Sequence, residues 1–248
     1  MAPGQPLPHF KNAPIVEALL NLVIAPMPAE TTTDLLLQRF SPRISNDYPL
    51  RAELSQFTTT VTGGATVSAS ASQHRSGLIF RSVDGKDIVQ SRVDGLAVSR
   101  LAPYEGWNNL RERLRKLWDI YVEVLPHAAP AAIGARYINS LSIPETVPME
   151  EFVTAYPEVP HGLPQIMHNF FYRVSLALDE GTALTIQMAP LVKTEPGKSN
   201  LLLDLDFTFR RNSNIELWDQ IDGIRPVKDR IFMETITPRL QDLLNARD

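Results

Sequence analysis

Gly77-Leu78-Ile79-Phe80-Arg81-Ser82-Val83-Asp84-Gly85-Lys86-Asp87-Ile88-Val89-Gln90-Ser91-Arg92-Val93-Asp94-Gly95-Leu96-Ala97-Val98-Ser99-Arg100-Leu101 holds three short β-prone runs. These are Gly77 to Val83, Lys86 to Val93 and Leu96 to Leu101, separated by Asp84-Gly85 and Asp94-Gly95. Asp-Gly is the preferred chemistry of two-residue hairpin turns, because both positions must accept positive φ. Connections this short leave no room for a crossover helix, so the three strands are expected to be antiparallel. A doubly wound parallel sheet is thereby disfavoured and an α+β fold expected.

Downstream, Trp107, Leu110, Leu114, Leu117, Trp118, Tyr121 and Leu125 recur at intervals of three and four. They predict an amphipathic helix of about five turns, with Arg111, Arg113 and Lys116 on its other face and Pro126 and Pro130 closing it. Upstream, Val16, Ala18, Leu20, Leu22 and Ile24 alternate with Ile15, Glu17, Leu19, Asn21 and Val23, the pattern of a strand with one apolar and one mixed face. Thr31 and Asp34 start a short helix carrying Leu36, Leu37, Phe40 and Ile44, with Pro42 positioned to kink or end it. Phe57 to Thr62 precedes Gly63 to Ser72, a small-residue stretch that reads as a loop or an edge strand.

The second half repeats this order. Ala131 to Ile143 reads as a strand, Met149 to Tyr156 as a short helix, and Asn169 to Leu178, Thr182 to Val192 and Leu201 to Arg211 as three more strands. A helical region follows Ser213, with Glu216 as its capping-box partner, Gly223 as an interruption and Pro238 as a kink. The expected fold is α+β: two similar β-α-β-β-β-α halves, residues 1–128 and 129–248, mainly antiparallel, with long helices packed on one face and the halves forming one compact unit.

With 248 residues, 44% hydrophobic and 21% charged, the composition is that of a globular protein. A chain this long buries roughly 70 to 75% of its unfolded surface and needs no metal or disulfide staple. Zero cysteines remove thiolate nucleophiles, Cys-ligated zinc and iron-sulfur clusters from the possible chemistries. The net charge of −4 argues against general nucleic-acid binding. The N-terminus has no basic start or apolar core, and Glu17 and Asn21 interrupt the most apolar early stretch, so no membrane association and a cytoplasmic location are expected.

Catalytic signatures fail. Gly197-Lys198-Ser199 resembles the end of a P-loop, but Val192 occupies the position of the required first glycine and a strand follows where a helix N-terminus is needed. His9, His74, His127, His161 and His168 form no metal-ligand spacing, and no Gly-x-Ser-x-Gly elbow exists. No metal, cofactor or catalytic residue is implied.

Asp204 and Asp206 alternate to one strand face, about 7 Å apart. The same alternation places Glu17, Asn21, Gln90, Arg92, Arg136, Arg173, Gln187 and Thr208 on a polar sheet face of mixed sign. Such a face is either solvated or a groove that recognises a peptide, a protein surface or a polar ligand, where arginine forks suit carboxylate or phosphate. Glu17 and Arg136 each lie in the first strand of their half, and an ion pair between them is expected at the seam.

The chain resembles a sporadically distributed family of uncharacterised bacterial proteins of about 250 residues. The resemblance is carried by Pro14-Ile15-Val16-Glu17-Ala18-Leu19, by Gln90 to Trp107 with Arg100-Leu101-Ala102-Pro103-Tyr104, by Arg136-Tyr137-Ile138-Asn139 and by Leu203-Asp204-Leu205-Asp206. It implies a bacterial, cytoplasmic protein and suggests an adaptor or antitoxin-like component of a mobile or defence locus. It draws attention to Glu17, Arg136, Tyr137 and Asn139.

Together these readings make the leading expectation a non-enzymatic module that binds a protein partner or a polar small ligand. The binding candidates are Glu17, Arg92, Arg136, Asn139, Arg173, Gln187, Asp204 and Asp206. The alternative is an enzyme or sensor for a phosphorylated or nucleotide-like ligand, with Arg92, Arg136 and Arg173 as anion clamps and Asp204 and Asp206 as metal or base residues. Nucleic-acid binding through Arg111, Arg113, Arg115 and Lys116 is disfavoured by the interspersed Glu112, Asp119 and Glu123.

Overall fold

A computed structural model describes residues 10–25, 27, 29–62, 68–164, 167, 169–192 and 195–245, with backbone alone at 29–31, 56–62 and 68–74. His9, His74 and His168 fall outside the described side chains, as does most of the Gly63 to Ser72 stretch. The strands are β1 (Ile15–Ile24), β2 (Leu50–Thr62), β3 (Ser68–Arg81), β4 (Asp87–Arg92), β5 (Gly95–Leu101), β6 (Pro130–Pro144), β7 (Tyr172–Ala177), β8 (Thr182–Leu191) and β9 (Lys198–Arg210). The helices are α1 (Ala29–Leu35), α2 (Ser41–Ile44), α3 (Trp107–Val124), α4 (Leu217–Asp222), α5 (Ile224–Thr235) and α6 (Pro238–Asn245). β2–β3, β3–β4, β4–β5, β7–β8 and β8–β9 all pair antiparallel, giving a mainly antiparallel α+β protein.

The chain divides into two units. One comprises residues 19–101 and 105–134; the other comprises 1–18, 102–104 and 135–248. β1 and β6 contribute residues to both.

In the first unit β2, β3, β4 and β5 are hydrogen-bonded in sequence order. The loop between β3 and β4 is wider than the two-residue turn expected at Asp84-Gly85. Gly85 N–H bonds Ser82 C=O at 2.9 Å, and the Asp84 carboxylate accepts from Ser82 Oγ at 2.5 Å and Lys86 N–H at 3.1 Å. Those two donors hold the Asp84 carboxyl below the usual carboxylate range. Only Gly85 there has positive φ, at 71°. At the next hairpin Val93 and Asp94 make the turn, and Gly95 is already in β5. Its φ is 144°, and a Cβ there would stand 2.0 Å from Leu22 C=O, so only glycine fits.

α3 follows its periodicity closely: Trp107, Leu110, Leu114, Leu117, Trp118, Tyr121 and Val124 are all buried. Each such side chain contributes about 1.5 to 3 kcal/mol of burial. Tyr121 stacks on Trp118, meets Phe40 edge-on and donates to Arg92 C=O at 2.7 Å. Phe40 belongs to a π-helical turn, Leu36–Phe40, in which Ser41 N–H reaches back to Leu36 C=O. Pro42 has no N–H and its ring crowds the carbonyl four residues earlier, so the turn ahead of it widens.

In the second unit β6, β9, β8 and β7 are hydrogen-bonded in that order. Leu201, Leu203, Leu205, Phe207 and Phe209 of β9 are buried, with Leu184, Ile186 and Met188 of β8. The C-terminal helices start differently from the sequence expectation. Glu216 itself caps α4, its carboxylate accepting from Trp218 and Asp219 N–H, and Pro238 begins α6 instead of kinking a longer helix.

Candidate functional site

Strand alternation separates β6, β9, β8 and β7 of the second unit into an apolar face and an open polar one. The β7–β8 and β8–β9 registers align Arg173, Gln187 and Asp204 in one row across three strands, and Ser175, Thr185 and Asp206 in the row beside it. Arg136 of β6 completes the first row. Its Nε lies 2.9 and 3.1 Å from the two Asp204 oxygens, and its Nη2 lies 2.6 Å from Oδ2. Gln187 Nε2 adds a further bond to Oδ2 at 3.0 Å. Ser175 Oγ and Thr185 Oγ1 are 3.0 Å apart.

Exposure within this network is uneven. The Asp204 side chain is 2% exposed, whereas Arg136 is 40% exposed. The buried carboxylate is therefore committed to protein donors, and the guanidinium it holds presents its remaining edge outward. The hydrogen bonds that Arg136 donates to Asp204 hold its guanidinium above its ordinary range, against the opposing effect of burial, with the fields of Asp204, Asp206 and Glu17 adding to the rise. Asp206 is half-buried, and burial pushes its carboxyl above the ordinary value. Among the described residues the Asp206 carboxylate makes no hydrogen bond, and Arg173 reaches it only through its field.

Four of the residues selected from sequence, Arg136, Gln187, Asp204 and Arg173, thus form one row, with Asp206 adjacent. The expected Glu17–Arg136 ion pair is replaced: Arg136 bonds Asp204, and Glu17 reaches it only through its field. Asn139 is not beside them. It lies an odd number of residues from Arg136, is buried on the opposite face of β6, and donates to Leu203 C=O at 3.1 Å and Tyr137 C=O at 3.3 Å. Arg92 belongs to the first unit, where its Nε bonds Asp94 at 2.9 Å.

Two further clusters were not anticipated from sequence. In the first unit Arg100 contacts Asp87 at 3.1 Å and Glu105 at 2.8 Å, while Arg113 of α3 contacts the same two carboxylates at 3.1 and 3.2 Å. The Arg113–Asp87 contact is an ion pair without hydrogen-bond alignment. Arg113 therefore points inward, and with Arg111 no more exposed than Arg113 the basic helix face drawn from sequence loses two of its members. Burial pushes the nearby Tyr48 phenol up to about 12.

In the second unit Tyr104 and Tyr137 meet with hydroxyls 3.3 Å apart and rings edge-on. Lys228 Nζ lies 4.4 Å from the centre of the Tyr137 ring and also bonds Asp229. Burial pushes the Tyr104 phenol up to about 12, raises the Tyr137 phenol well above its ordinary value and lowers the Lys228 ammonium, so both phenols stay neutral at physiological pH.

Among the described residues no group of three or more His, Asp or Glu is placed to hold a metal ion, and no helix is long and apolar enough to cross a membrane. No family model and no curated protein matches the chain. A solved structure, the crystal structure of the di-domain ARO/CYC StfQ from the steffimycin biosynthetic pathway, is similar over 92% of this chain and 97% of its own, at 12% identity and a TM-score of 0.20. A score that low supports no inference about fold or activity.

Proposed function

We propose that this chain is a non-enzymatic binding module whose open face on β6, β9, β8 and β7 engages a protein partner or a polar ligand. The observation that carries this reading is the full commitment of Asp204 to Arg136 and Gln187. A carboxylate held by three protein donors is a poor base and a poor metal ligand, which weighs against Asp204, one of the two carboxylates that the alternative reading of an enzyme acting on a phosphorylated substrate would use. Instead, the network fixes the positions of Arg136 and its neighbours before any ligand arrives, and such pre-organisation favours recognition. The face carries Glu17, Asp206 and the paired Asp204 against Arg136 and Arg173, so its complement is a surface of mixed sign.

The family resemblance adds the setting of this reading: a cytoplasmic adaptor or antitoxin-like component of a mobile or defence locus. The order of elements adds a proposed origin by duplication of a β-α-β-β-β-α half, although four strands stand between the helices of the first half and three in the second. The test is co-expression with the products of adjacent genes, followed by co-purification. Arg173→Glu and Asp206→Lys alter the face without touching the Asp204 network, and loss of the partner from both folded variants is the expected result. A partner retained by both, or turnover of a phosphorylated substrate abolished by Asp206→Asn, would overturn the reading.

A further inference from the structure

β7 ends the strand order of its unit, so among the described residues one of its two edges has no neighbouring strand. Which backbone groups point to that open edge follows from the ladder. Leu178 N–H bonds Thr182 C=O at 2.8 Å, and these two residues are directly opposite in the β7–β8 register. In an antiparallel pair, hydrogen-bonded and non-hydrogen-bonded positions alternate. Tyr172, Val174 and Leu176 therefore bond β8, while the N–H and C=O groups of Arg173, Ser175 and Ala177 point away from it. Gly181 bonding outward to Arg210 on β9, next to Thr182 bonding β7, agrees with this phase. No described residue takes up the three outward positions.

The edge is complementary to itself when reversed. Arg173 stands near one end, and Asp179 follows the other end, two residues beyond Ala177. The Asp179 carboxylate accepts from Gly181 N–H at 2.8 Å, which holds it below the usual carboxylate range and therefore ionised. We propose that β7 pairs antiparallel with β7 of a second copy of this chain, with Ser175 opposite Ser175 on the two-fold axis.

In that register Arg173 is opposite Ala177 of the second copy and diagonal to its Asp179, within reach of a long side chain. The two-fold axis makes this ion pair twice. On the other face Val174 is opposite Leu176, which removes from water a leucine that is 42% exposed in the single chain. An isolated charge on an edge ordinarily discourages strand addition. Here it selects among additions: a parallel copy would set Arg173 against Arg173, and the reversed copy sets it beside a carboxylate.

Sedimentation equilibrium of the full chain from micromolar to millimolar concentration tests this. The expected mass rises from one chain to two. Hydrogen exchange at high concentration should slow at the Arg173, Ser175 and Ala177 amides alone among those of β7 whose protection depends on concentration. Ser175→Pro removes one outward N–H and leaves the β8 ladder intact, so it should remain a single chain throughout. Arg173→Asp should weaken the dimer about tenfold. A single chain at every concentration overturns the proposal. So does a dimer indifferent to Ser175→Pro, and should that variant misfold, a wild-type dimer without slowed exchange at the three amides does the same.

Discussion

In the first unit Arg100 is 9% exposed and is held between Asp87 and Glu105, with Arg113 contacting the same two carboxylates from α3. In the second unit the burial is reversed: Asp204 is the enclosed partner and Arg136 the open one. The first arrangement pairs two cations with two anions and leaves little of either arginine for another molecule. It ties α3 to β4 and β5. The second encloses an anion under a cation that still faces solvent, so its charge remains available at the surface. Only the second leaves its arginine open to solvent, although both are built from the same residue types.

That contrast is broken most sharply at Arg136. Arg136→Ala leaves a buried carboxylate with Gln187 as its remaining side-chain donor. The expected loss is about 2 to 4 kcal/mol, below the usual 3 to 5 for a broken buried pair because Arg136 itself is partly solvated. Asp204→Asn leaves an arginine that can rehydrate and should cost about 1 kcal/mol. Urea denaturation of both variants and the double mutant measures this, and equal losses from the two single changes would remove the distinction. Combining Arg136→Ala with Glu17→Ala should give nearly additive losses, because those two side chains interact only through their fields.

Arg100→Ala comes next, at about 2 to 3 kcal/mol. Arg113 still contacts both carboxylates and Glu105 keeps access to water, so less charge is left stranded. A thermal melt of this variant beside Arg136→Ala ranks the two networks.

The smallest effect is expected at Asp206. Burial raises its carboxyl above the unfolded value, so the folded state holds the proton more tightly. Its favourable contribution is complete below the unfolded value and is lost as pH rises through the raised one. Asp206→Asn does not ionise, so it should melt above the wild type at pH 7, with the gap closing as pH falls below the carboxylate range. Melting temperatures across that range check the sign.

Much of the architecture was legible because it rests on local pattern. Period-two runs and Asp-Gly turns marked β3 to β5, and the three-and-four spacing marked α3 to within a residue of its end. The failures had specific physical causes. Arg113 flanks the apolar stripe of α3, and a long side chain at a flank can turn inward when carboxylates wait there. Glu216 reads as the capping-box partner of a helix that starts at Ser213, whereas it is itself the cap of α4, which starts at Leu217. Asn139 could have been separated from Arg136 by parity alone, since residues an odd number apart in a strand face opposite ways.

The order of residues by itself determined the antiparallel α+β character, the stripe of α3, and the lack of cysteine that rules out thiolate chemistry. Tertiary structure decided which charges meet. Arg136 and Asp204 are separated by 68 positions, Tyr104 and Tyr137 by 33. No local periodicity encodes such pairs; they follow from strand order and register, which are set by how whole strands bury their apolar faces.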